Sequence, residues 1–114
     1  MDADESVTAI REFKLAVNMS QHKLAAWLKT PESKEVGFKT SEGGESVGHR
    51  SGQRIVDLLG QKQADFNSED VAHAKKVVGY IHRHLAQRPS GDIEDSRWRY
   101  SLMNWGHDPQ IGKK

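Results

Sequence analysis

The sequence predicts an all-α protein, a single compact domain of four to five helices with a long central amphipathic helix. Three observations carry this. Apolar residues recur at spacings of three and four, no stretch alternates with a period of two, and Ser, Asn, Gly and Pro separate the periodic segments. Of the 114 residues 35% are hydrophobic, which supports one modest core and not two. Residues 1–5 are expected to form a flexible N-terminus, residues 6–105 the helical domain and residues 106–114 a loose C-terminal tail.

The first helix spans residues 6–18, where Val7, Ile10, Phe13 and Val17 share a face. Ser20 caps a second, short helix whose buried side carries Leu24, Trp27 and Leu28, and Pro31 stops it because the residue before a proline disfavours helical torsions. Residues 32–45 lose periodicity and read as a loop with room for one extra turn, anchored by Val36 and Phe38. A third helix follows with Ile55, Val56, Leu58 and Leu59 as its buried end, and Ser46 and Ser51 compete to cap it.

The fourth and longest helix starts at Ser68, with Glu69 and Asp70 complementing its dipole, and closes at Arg88 and Pro89. Steps of about 100° per residue place Val71, Ala74, Val77, Val78, Ile81 and Leu85 in one apolar sector. The fifth helix spans residues 92–105, with Asp92, Glu94 and Asp95 at its start and Trp98, Leu102 and Trp105 on one side; Arg99 is spaced to pair with Asp95.

Composition excludes several classes. Three Trp, three Phe and two Tyr are too many large apolar groups for a disordered chain, and 29% charged residues indicate a well-solvated surface. The absence of Cys removes disulfides, thiolate metal sites and a Cys nucleophile, and fits an intracellular protein. The acidic N-terminal stretch lacks the order of a secretory signal, and no apolar run reaches the roughly 18 residues that span a bilayer. The expectation is a cytoplasmic protein, nucleoid or nucleus included, with no membrane contact.

The net charge of +1 predicts little, but its distribution is uneven. Residues 71–91 contain no carboxylate, yet hold Lys75, Lys76, Arg83 and Arg88 with His73, His82 and His84, the local balance of a surface that meets an anion. Ala72, Gly79 and Ala86 fall on one line of this helix, flanked by Lys75 and His82 on one side and by Lys76 and Arg83 on the other. Gly79 inside a helix costs about 1 kcal/mol relative to Ala, so close approach of another backbone is expected there: the Trp98 helix, or DNA.

The remaining motifs are weaker. His82 and His84 point about 200° apart on a helix, whereas a helical metal pair needs a spacing near four, so no metal site and no cofactor are expected. Arg97 to Tyr100 interleaves bases and aromatics, but neighbours on a helix diverge and leave Arg97 the freest base. Residues 46–54 have the glycines of a phosphate cradle without the Walker spacing, and Arg50 and Arg54 extend a basic face to the next helix. No activated-nucleophile context is present, and the paired acids sit where helix starts favour negative charge.

The segments WLKT at residues 27–30, ESVGH at 45–49, KVVGYIHRHLAQRP at 76–89 and RWRYSLMNWGHDP at 97–109 resemble a family of small uncharacterised microbial proteins, filed as a domain of unknown function. Some members carry only a DNA-binding label, so the resemblance implies nucleic-acid binding and brings no catalytic residues. The residues point to a non-enzymatic protein that contacts the phosphate backbone of DNA, or of RNA, through Lys75, Lys76, Gly79, His82, Arg83, Arg88, Arg50, Arg54 and Arg97. The alternative is a helical protein–protein interaction module or self-associating bundle, a homo-oligomer whose partner helix fills the Ala72, Gly79 and Ala86 seam.

Overall fold

The computed structural model describes residues 3–36 and 47–111. Within them the chain is all-helical: α1 (Ala3–Ala16), α2 (Gln21–Leu28), α3 (Pro31–Glu35), α4 (Val47–Leu59), α5 (Ser68–Leu85) and α6 (Arg97–Asn104), with a 3-10 turn at Gln63–Asp65. Phe38 and Ser46 lie outside the described residues.

Short polar side chains set the helix starts. Ser20 caps α2 as expected, its hydroxyl accepting from the Lys23 N–H at 3.1 Å. Pro31 does more than stop α2. Thr30 caps α3 through the Ser33 N–H, and Pro31 takes the first helical position, where its missing N–H costs nothing. Ser51 is no cap, since α4 already runs from Val47 and places it inside the helix. Asn67, one residue before Ser68, caps α5 in a reciprocal box with Asp70, and α5 ends at Leu85 rather than Arg88. Asp92, Glu94 and Asp95 precede α6 in turns, because Ser96 is its cap.

The predicted apolar faces meet in one core. Phe13 of α1 and Val17 just after it, Leu24 and Leu28 of α2, Ile55 and Leu58 of α4, Ala74, Val77, Val78 and Ile81 of α5, and Leu102 and Trp105 are all buried in it. Each such large side chain contributes about 1.5–3 kcal/mol by leaving water. Val7 lies at the margin, while Ala9 and Ile10 pack with Val71 in a smaller cluster. α1 packs chiefly on α5 and α2 on α4, and α6 touches α2, α3, α4 and α5. Val36 is buried as predicted.

Close approach is concentrated at α4. A Cβ on Gly52 would lie 2.4 Å from the Asn104 carbonyl oxygen and 2.7 Å from Leu28 Cδ2, so only glycine lets α4 seat against α2 and α6. Asn104, fully buried, completes that contact by accepting from Trp27 Nε1 at 2.8 Å and donating to the Ser33 carbonyl at 2.9 Å.

Residues 106–110, expected as a loose tail, are docked. Gly106, with φ +85°, turns the chain out of α6 while the His107 N–H bonds the Leu102 carbonyl and the Gly106 N–H bonds that of Met103. The Asp108 N–H then donates to Asn18 Oδ1 at 2.8 Å, Asn18 Nδ2 returns a bond to the Asp108 carbonyl, and His107 Nδ1 donates to the Ala16 carbonyl. Asp108 also takes Arg99 in a two-pronged contact at 3.1 Å per bond, so the expected Arg99–Asp95 pair is replaced by a longer-range one.

Candidate functional site

α4 and α5 present a cleft of about 320 Å³ lined by Arg50, Ser51, Arg54, His73, Lys76 and Trp105. Spacings of three and four put Arg50, Ser51 and Arg54 on one side of α4, and the same rule aligns His73 and Lys76 on α5. Ser51, buried in the wall, shares a 3.0 Å hydrogen bond with His73 Nε2.

The electrostatics of the cleft follow from this geometry. Burial first, then the nearby Arg54 and Lys76, push His73 down to about 4 against the pull of Asp70. His73 is therefore neutral at neutral pH, and the positive charge of the cleft belongs to Arg50, Arg54 and Lys76. Arg54 Nη2 lies 3.2 Å from Asp70 Oδ1. The Asn67 backbone N–H, joined by Gln61 and Arg54, outweighs burial and holds the Asp70 carboxyl below its ordinary value, so it stays ionised and offsets part of the Arg54 charge.

An aromatic stack leads away from the cleft along α5. His73 lies parallel to Trp105, Trp105 to Tyr80 at 4.2 Å, Tyr80 to His84 at 5.2 Å, and His84 to Trp98 at 5.8 Å, with the Arg88 guanidinium 5.8 Å over the Trp98 ring. Trp98 Nε1 donates to the His84 carbonyl at 2.7 Å and His84 Nε2 donates to the Trp98 carbonyl at 3.0 Å, which fixes both rings. Burial lowers the His84 pKa. Arg88 is thus placed at the far end of the stack.

The expected seam is open. Ala72 and Ala86 are exposed, and a Cβ on Gly79 would meet only the Arg83 side chain, with Nη1 at 3.2 Å. No backbone among the described residues, that of the Trp98 helix included, approaches Gly79; the close approach argued for it falls instead on Gly52. Arg83 folds back over Gly79, one turn from Lys76, and extends the line of cations beyond the cleft.

The sequence-predicted bases divide into two sets. Lys76 and Arg83 share a flank of α5, and Lys76 meets Arg50 and Arg54 in the cleft. Lys75 and His82 face α1 instead: Lys75 Nζ lies 3.8 Å from Glu5 Oε2 in a crevice with Asp4 and Glu12, and His82 lines a groove with Glu12, Leu15 and His107. Arg97 begins α6, exposed and outside the cleft lining. Ser51, Tyr80 and Trp105 were not singled out from sequence as parts of a site, and His73 was named only as one of the histidines on the basic stretch. The available signal was the alignment of His73 with Tyr80, seven residues on.

Among the described residues no three His, Asp or Glu side chains converge as a metal site, and no helix is long and apolar enough to cross a membrane. Neither the curated proteins nor the solved structures include a match to the chain. A family model does match residues 12–103, which take in α2, α3, α4, α5 and nearly all of α6. The chain belongs to that family, DUF3140, described as a protein of unknown function.

Proposed function

We propose that this is a small, non-enzymatic nucleic-acid-binding protein that grips phosphates through the cleft flank of α5. The observation that carries the reading is the convergence of Arg50 and Arg54 from α4 with Lys76 from α5, continued by Arg83, which folds over Gly79. Two guanidinium forks beside an ammonium suit phosphate oxygens, and at Gly79 only the flexible Arg83 side chain stands before an approaching backbone. Lys75 is a minor contributor, because the α1 acids beside it repel an approaching phosphate. Arg88 and Arg97 extend contact beyond the cleft.

Titration of duplex DNA against salt tests this. With three to four phosphates neutralised by the cleft flank, log affinity falls against log salt with a slope of about −3 to −4. A flat response, or no binding at about 50 mM salt, overturns the reading. Sedimentation of the same samples addresses the alternative of a self-associating bundle: concentration-dependent dimerisation lost on Gly79→Leu, with DNA binding absent, establishes that alternative instead.

A further inference from the structure

Contact with a duplex backbone needs only exposed cations in reach of successive phosphates. Here the cations surround a concavity, whose about 320 Å³ is at the small end of small-molecule sites. Its lining is chemically narrow. The Trp105 ring is stacked with Tyr80 and His73, so its faces are taken and the wall offers an edge rather than a platform for a base. What remains is polar: the Arg50 and Arg54 guanidinium groups, the Lys76 ammonium, and the Ser51 hydroxyl bonded to an uncharged His73.

A phosphodiester brings one negative charge and two unbridged oxygens. A phosphate monoester brings about −1.5 to −2 charges at neutral pH and three terminal oxygens, enough to engage groups that converge from two helices. We propose that the cleft lined by Arg50, Ser51, Arg54, His73 and Lys76 is a binding site for a phosphate monoester, the terminal phosphate of a nucleic-acid strand or the phosphate of a free nucleotide. This rests on the nucleic-acid reading above. Arg83, over Gly79, is then placed for the next phosphate along the strand.

His73 supplies a reporter that does not depend on function. Arg54 and Lys76 help to hold it down to about 4, Asp70 opposes them, and Arg50 lines the same cleft; an anion seated among these cations offsets their effect and moves the His73 titration upward. The experiment follows the His73 ring by NMR in the full chain with inorganic phosphate, adenosine 5′-monophosphate and adenosine. In parallel, affinity is measured for single strands of about ten nucleotides with a 5′-phosphate or a 5′-hydroxyl.

Phosphate and the monophosphate are expected to shift the ring resonance and raise its titration point while adenosine leaves both unchanged, and the 5′-phosphorylated strand is expected to bind about tenfold more tightly than its 5′-hydroxyl twin. Lys76→Ala and Arg50→Ala, both at exposed positions that leave the core intact, remove that advantage. A phosphorylated strand that binds more tightly than the monophosphate assigns the site to strand ends; equal affinities assign it to the free nucleotide. Equal binding of the two strands, with His73 unmoved by phosphate or monophosphate at about 10 mM, well above a millimolar dissociation constant, overturns the proposal. Duplex binding with its salt slope intact would then leave the backbone reading standing, so the two failures are distinguishable.

Discussion

The two flanks of α5 carry similar bases in opposite surroundings. Lys75 and His82 look toward α1, where Asp4, Glu5 and Glu12 stand within the same crevices. Lys76 looks toward α4, where Arg50 and Arg54 line the same cleft and Arg54 is paired with Asp70, and Arg83 follows Lys76 on that flank of α5. A run of bases without acids therefore does not make a uniformly basic helix, because the acids arrive from another element. What a charge does at long range depends on the sum over its neighbours, and on the α1 flank those neighbours include acids.

The largest effect that would separate the flanks comes from charge reversal. Lys76→Glu with Arg83→Glu is expected to weaken duplex DNA binding by about 100-fold or more and to reduce the magnitude of the salt slope by about 2, with circular dichroism unchanged. Lys75→Glu is expected to change affinity by no more than about twofold, since it alters a flank already occupied by acids. Equal losses from the two variants would erase the distinction between flanks.

Acid titration gives a smaller effect that belongs to the cleft flank alone. His73 falls from its ordinary 6.5 to about 4 in the fold, so the unfolded chain binds the extra proton first. The stability that follows is present above 6.5 and is lost as pH drops from 6.5 toward 4. Urea midpoints measured across that window are expected to decline in the parent and to decline less in His73→Gln. Identical profiles for the two proteins would remove His73 as the cause.

The smallest effect concerns the strip between the flanks. Gly79→Ala is expected to raise stability by about 0.5–1 kcal/mol, because the added methyl meets only the flexible end of Arg83 and the helix gains propensity. A loss of stability in thermal melts would mean that something does cover Gly79.

The core face of α5 was legible because helical periodicity is local: Val71, Ala74, Val77, Val78 and Ile81 are buried as their spacing dictates. Boundaries shifted by a residue or more where two candidates could serve. Asn67 takes the cap expected of Ser68, and Ser96 displaced the acids before it. The site was legible only in part. Lys76, Arg83, Arg50 and Arg54 were named, but that Lys76 meets Arg50 and Arg54 while Lys75 turns away depends on which helix packs beside which flank. The glycines show the same limit. Gly79 and Gly52 both sit inside helices, and only tertiary contact distinguishes the one that is tightly enclosed from the one that is open. Ser51 and His73, 22 residues apart, meet for the same reason.

The Gly106 turn and the Asn18–Asp108 exchange it enables join positions 90 residues apart. During synthesis the first helices leave the ribosome long before their closing partner exists, and α2 must wait for Asn104 to satisfy Trp27. Folding is therefore expected to complete late. A chain arrested before Gly106 should remain open to limited proteolysis, with protection gained only once the residues through Asp108 have emerged, whereas early protection would show that α1 to α5 close without them.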